Sequence, residues 1–198
     1  QNIDLMKLMP EFMDRYFDTG YYENGPADQW TRDTFAYGNR VKMDLLKKND
    51  IWFLETPGAS YQDTSFAFKA YIAADRVMAL PKQLHHYRIN GNSSVNSPGK
   101  LFYVCDEEAE IRRFVAERGL TETLKEAMAF RSFGSYRWNY DRLATLPLKR
   151  QFMKRWSSEL RAMFENGEMT RRYYSKNRRM RLWLAAYCPF VYYFTKKF

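Results

Sequence analysis

The reading turns on NDIWFLETPGASYQDTSFAFKAY, residues 49–71. Ile51-Trp52-Phe53 is a β-branched and aromatic run and predicts a brief strand. Pro57-Gly58 opens a turn and a loop. Asp63 or Thr64 is placed to cap a helix that runs to about Ala74. Upstream, residues 40–48 predict a short amphipathic helix with Val41, Leu45 and Leu46 inward, ended by Asn49-Asp50. Downstream, Val77–Leu80 and Leu84–Arg88 predict two short strands around Pro81. Residues 89–99 (INGNSSVNSPG) form a long polar loop, the kind of segment that often carries function.

Farther out the pattern is helical. Residues 3–17 have helical apolar spacing with a kink expected at Pro10, and residues 18–29 read as a loop. From about residue 100 onward every periodic segment is helical. Leu148, Phe152, Trp156, Leu160 and Phe164 recur at every fourth position and mark one buried face. Leu182–Thr195 is a run of 14 uncharged residues. At about 1.5 Å per residue it falls short of a ~30 Å bilayer core and is not expected to span a membrane.

Composition excludes several classes. The chain has 198 residues, 45% apolar and 18% aromatic, enough for a sizeable core and too much for disorder. Gly and Pro are too few for a collagen-like or low-complexity chain. Cys105 and Cys188 are too sparse for a disulfide scaffold. Without a C-x-x-C or Cys/His cluster they read as buried thiols in a reducing compartment. Gln1 with no signal sequence after it reads as the start of a piece of a longer protein. The net charge of +9 is uneven. Residues 149–198 hold thirteen Lys or Arg against three Glu, so the preceding residues are close to neutral. A basic segment of this kind suits a polyanion.

Residues 49–71, followed by LHHYRINGNSSVNS at 84–97, resemble bacterial family 2 glycosyltransferases, which build lipopolysaccharide, capsule and other surface glycans. The motifs match in order. NRVKMDLLKK (39–48) looks like the helix before the acceptor loop, and Asn49 to Phe53 like the N-x-I-x-F that follows. Tyr61-Gln62-Asp63 sits at the family's acidic E-D motif. His86-Tyr87-Arg88 and Ser93-Ser94 sit at its Y-Y-R and the Ser-containing loop after it. The likeness covers roughly residues 30–115.

The resemblance implies an α/β fold, the Rossmann-like GT-A type. Residues 1–99 would be its acceptor-side half, with the donor half missing upstream, and residues 100–198 a helical extension. It implies a nucleotide-sugar donor, a glycan or lipid-linked acceptor, and inversion at the anomeric carbon. Mn²⁺ or Mg²⁺ would sit on the donor diphosphate, held mainly by the missing half, since this chain has no Asp-x-Asp. It implies a cytoplasmic enzyme, peripheral on the inner face of the plasma membrane. This portion by itself is expected to be inactive.

Asp63 is the candidate catalytic residue. An ionised carboxylate can take the proton of an acceptor hydroxyl as the new bond forms. A plain helix cap is the competing role, since a side chain bonded to its own helix amides is less free to face an acceptor. Candidate substrate-binding residues are Tyr61, Gln62, Trp30, His86, Arg88, Ser93 and Ser94. Gln62 replaces the commoner Glu and can bond a sugar hydroxyl without acting as a base. Trp30, Trp52 and Tyr61 suit either a sugar C–H face or core packing. His86 faces the diphosphate or its metal, or makes an ordinary strand contact. Arg88 pairs with phosphate or with a structural carboxylate.

Arg178, Arg179, Arg181, Trp183, Lys196 and Lys197 are candidate contacts to an anionic membrane surface, since basic and aromatic residues together suit the membrane interface. A packed helix with a solvated basic face is the other reading. Aromatic and basic residues also suit nucleic acid, but no such module is recognisable. A non-catalytic, membrane- or glycan-binding remnant is the alternative to an enzyme.

Overall fold

The computed structural model describes residues 41–56, 61–75, 98–170 and 174–195. Seven α-helices follow one another there: α1 (Met43–Lys48), α2 (Gln62–Ala73), α3 (Tyr103–Glu117), α4 (Thr121–Arg142), α5 (Leu146–Glu165), α6 (Lys176–Tyr187) and α7 (Pro189–Thr195). A single 3₁₀ turn, Pro98–Lys100, precedes α3.

The expected α/β GT-A fold is corrected by this arrangement. Among the described residues there is no strand and no sheet. The reason lies in the periodicity. A half-buried strand needs alternation of period two. At 51–53 only Ile51 is buried, while its neighbours Trp52 and Phe53 are both exposed. Ile51 instead closes α1, donating its amide to the Leu46 carbonyl at 2.9 Å, so the brief strand expected here is an irregular segment. Phe53 finds its partner by stacking on Phe66 of α2 at 4.1 Å. The strands expected at Val77–Leu80 and Leu84–Arg88 lie outside the described residues, as do the helix at 3–17 and the loop at 18–29.

Helices pack mostly on their chain neighbours: α1 on α2, α2 on α3, α3 on α4, α4 on α5, α5 on α6 and α6 on α7, with α7 also reaching α5. Three apolar clusters result. The largest joins α4, α5, α6 and α7 to the start of α3, around the fully buried Trp156. Phe133, Tyr136, Tyr140, Phe152 and Tyr192 surround that indole, with centroids 5.8–6.4 Å away. The face expected from Leu148 to Phe164 is the one that supplies it. A second cluster holds Phe68, Ile111, Val115, Leu124 and Met128 between α2, α3 and α4. A third, around Leu46, Ile51, Ala70 and Phe114, seats α1, with Val41 and Leu45 packed against it as their spacing predicts.

Two helix ends show how the chain reverses direction. Gly119 and Gly167 have φ of +67° and +69°. In each case the next residue reaches back across the last turn: Leu120 to the Val115 carbonyl at 3.1 Å and Glu168 to the Met163 carbonyl at 2.9 Å. A left-handed residue is needed to aim these amides, and glycine adopts that conformation without a Cβ clash.

Three of the charged groups packed between helices show how the pairing runs. Arg131 of α4 bonds Glu108 of α3, both side chains being almost fully buried, and the Ser132 hydroxyl donates to the same carboxylate at 2.8 Å. Lys69 of α2 meets Glu110 at 2.9 Å and donates to the Trp52 carbonyl at 2.9 Å. Burial pushes the Glu110 carboxyl up, but the bonds from Arg113 and Lys69 outweigh it and hold it below the ordinary value. Arg112 grips Glu168 with both terminal nitrogens, at 3.2 and 2.8 Å, tying α3 to the segment after α5. Cys105 is buried and Cys188 half-buried, and both are free thiols. Burial pushes the Cys105 thiol up to about 12.

Candidate functional site

The start of α2 differs from the expected one. Neither Asp63 nor Thr64 is the cap. Tyr61 holds that position, with φ 62° and ψ −1°, and makes no side-chain cap bond. A left-handed tyrosine is strained, at a cost of order 1 kcal/mol or more, and needs surroundings that enforce it. Those surroundings come from the far end of α4. The Tyr61 hydroxyl donates to Asn139 Oδ1 at 2.8 Å. Its ring meets Trp138 edge-on at 5.7 Å. The Arg142 guanidinium carbon sits 4.9 Å over the same ring.

This placement sets the neighbours. Asp63 falls in the first turn of α2, half-buried, where the helix dipole favours a negative charge. Gln62 turns its Nε2 back to the preceding loop, donating toward the Thr56 carbonyl and Oγ1, both at 3.1 Å. Its donor end is thus spent on the loop, and only the amide oxygen remains to face a sugar. Two residues on, the Ser65 amide donates to Glu107 Oε2 at 3.0 Å. Glu107 is fully buried and its other oxygen has no protein partner. Burial raises its pKa above the ordinary value and the Asp63 charge adds to the rise, while Ser65 and Lys69 pull the other way.

Asn139, Trp138 and Arg142 form the second half of the site. Asn139 is fully buried and fixed through Nδ2 to the Leu101 carbonyl at 3.2 Å. Its Oδ1 also accepts from Arg142 Nη2 at 2.8 Å. The guanidinium carbon lies 4.4 Å over the Trp138 ring. Trp138 itself remains 47% exposed. Burial lowers the Arg142 pKa, partly offset by Tyr61, while burial of Tyr61 raises the phenol, partly offset by Arg142.

Of the other sequence-derived residues, Trp52 is exposed, its Nε1 donating to Asp50 at 2.7 Å, so it is not a core residue. Arg178 is half-buried with its guanidinium over the Phe130 and Phe133 rings, at 5.9 and 5.4 Å. Arg179 is half-buried, whereas Arg181 and Trp183 are exposed. Trp30, His86, Arg88, Ser93, Ser94, Lys196 and Lys197 lie outside the described residues. The structure therefore brings Tyr61, Gln62 and Asp63 to one turn and adds Trp138, Asn139 and Arg142, which sequence reasoning missed. The available signal was local: Trp138 and Arg142 are four apart in a helical stretch, the spacing of a cation over a ring.

No group of three or more His, Cys, Asp or Glu able to hold a metal occurs among the described residues. No described helix is long and apolar enough to cross a membrane.

No known family model matches the chain, and no solved structure does. One curated protein shows partial similarity, an alpha-galacturonidase from Thermoanaerobacter italicus, 37% identical over 51 residues. That stretch is 26% of this chain and 11% of that protein, so the likeness concerns a small part of each.

Proposed function

We propose that this chain is the acceptor side of an inverting sugar transferase of the family 2 type, with Asp63 as general base. The observation that carries the reading is the backbone of Tyr61. A strained left-handed residue takes the N-cap position of α2, and strain of this kind concentrates at functional sites. It also relieves Asp63 of the capping role that competes with catalysis. The order of motifs around residues 49–71, which resembles that of family 2 glycosyltransferases, supports the reaction class.

In the proposed step the acceptor hydroxyl attacks the anomeric carbon of a nucleotide-sugar. Its proton passes to the Asp63 carboxylate as the new C–O bond forms. The bond to the nucleotide diphosphate breaks on the opposite face, and the diphosphate leaves with the electron pair. The configuration inverts. Gln62 offers its amide oxygen to a sugar hydroxyl, and the rings beside it offer flat apolar surface. A divalent ion on the donor diphosphate, Mn²⁺ or Mg²⁺, belongs to this reading. The described residues do not supply a ligand set for it.

The partial likeness to a protein named alpha-galacturonidase fits a sugar ligand, and leaves transfer and hydrolysis to be separated by product analysis. The test is to incubate the full-length protein carrying this chain with labelled nucleotide-sugars and membrane glycolipid acceptors. Release of nucleotide diphosphate with an elongated acceptor of inverted linkage supports the proposal. Release of free sugar from a glycoside without any nucleotide-sugar requirement overturns it.

The tail fits the same reading. Met180, Trp183 and Tyr187 on α6, and Phe190 and Val191 on α7, are exposed apolar side chains, with Lys176 and Arg181 exposed beside them. We propose that this surface rests on an anionic membrane interface next to a lipid-linked acceptor.

A further inference from the structure

We propose that Arg142, held by Asn139 and flanked by Trp138 and Tyr61, receives the negatively charged group of an anionic sugar, a hexose bearing a carboxylate or a phosphate. The sugar part of this inference rests on the reading above. The anion part rests on Arg142 alone.

The argument starts from orientation. Three groups fix the guanidinium: the Asn139 oxygen at 2.8 Å, the Trp138 ring at 4.4 Å and the Tyr61 ring at 4.9 Å. Asn139 cannot yield, because it is fully buried and bonded to the Leu101 carbonyl and the Tyr61 hydroxyl as well. A planar fork locked in this way loses little entropy when it takes a planar or tetrahedral oxyanion.

Charge balance points the same way. Arg112, Arg113, Arg131, Arg137 and Arg155 each pair with a carboxylate. None of the ion pairs among the described residues includes Arg142. Its bonded partner is a neutral amide oxygen, and its Nε is buried with no acceptor. The C-terminal end of α4 supplies about half a negative charge at most. A half-buried cation whose bonded partner is neutral is costly until an anion arrives. The half-exposed indole next to it is the flat apolar surface that a pyranose C–H face packs on. Tyr61 links this receptor directly to the turn that carries Asp63.

The test is ligand-observed NMR titration of the 198-residue chain with sodium D-glucuronate, D-glucose 6-phosphate, inorganic phosphate and D-glucose. At least one charged sugar is expected to bind saturably, about tenfold or more tighter than glucose. The glucuronate and glucose 6-phosphate arms tell carboxylate from phosphate. Arg142→Lys, which keeps the charge but loses the fork, is expected to weaken that binding about tenfold while the chain still unfolds in one cooperative transition. Trp138→Ala, at an exposed ring, is expected to weaken it as well and stands in if the arginine variant unfolds. Asp63→Asn is expected to abolish transfer by the full-length protein while the charged sugar still binds saturably, which separates the two proposals. Glucose binding as well as the charged sugars, inorganic phosphate matching glucose 6-phosphate, no binding by either charged sugar, or both variants binding like the native chain would overturn the inference.

Discussion

The guanidinium carbon of Arg142 lies 4.9 Å over the ring of Tyr61, joining the last residue of α4 to the N-cap residue of α2. Tyr61 adds a hydrogen bond to Asn139 at 2.8 Å. Tyr61→Phe keeps the ring and removes that bond. Asn139 Oδ1 still accepts from Arg142, so no buried acceptor is orphaned. The expected loss is therefore about 0.5–1.5 kcal/mol, the usual net worth of one hydrogen bond, measured by urea unfolding. Tyr61→Ala loses the ring as well and leaves the left-handed backbone unsupported, and should cost clearly more.

Trp156 tests the main core. It is fully buried among five aromatic rings, and its Nε1 has no acceptor. Trp156→Ala should cost about 3–5 kcal/mol in chemical unfolding. Trp156→Phe should cost much less, because the indole N–H it removes makes no bond. Equal losses for the two variants would contradict the packing described.

Glu107 gives stability a pH dependence. Burial raises its folded-state pKa above the unfolded value. Its contribution is therefore complete below the ordinary carboxyl pKa and is lost as pH rises through the folded value. Glu107→Gln keeps an oxygen for the Ser65 amide and cannot ionise. The variant should match the native chain near pH 4 and exceed it in thermal midpoint at pH 7–8. A gain that is the same at both pH values would show that Glu107 does not titrate with folding.

The α6–α7 surface predicts membrane binding through Trp183 and Phe190. Vesicles containing anionic lipid should co-sediment the chain, and the double variant Trp183→Ser, Phe190→Ser should reduce the bound fraction severalfold. Neutral vesicles should bind weakly, and added salt should release the protein from anionic ones. Equal binding of the variant would remove this surface from the account.

What was legible in the sequence follows range. The Leu148–Phe164 face repeats every fourth residue within one helix, so a local pattern reports it. The helix of residues 62–73 was legible for the same reason, but its first residue was not. Asp63 and Thr64 are good caps in isolation, whereas the actual start depends on Tyr61 being held by Asn139, 78 positions away. Ile51-Trp52-Phe53 has strand-forming composition, yet without a neighbouring strand among the described residues Ile51 closes α1 and Phe53 stacks on Phe66. The α/β expectation came from resemblance and failed against helical periodicity. Arg142 escaped notice because nothing near it in sequence shows that it lacks a carboxylate partner.

The most direct measurement is the rate of sugar transfer by the full-length protein with Asp63 and with Asp63→Asn, in matched preparations with equal thermal midpoints. Loss of a general base predicts a fall in kcat of about 10²–10⁴-fold with KM for the acceptor little changed. Transfer at a near-native rate by Asp63→Asn would contradict the assignment of Asp63 and, with it, the reading of the Tyr61-Gln62-Asp63 turn as a catalytic centre.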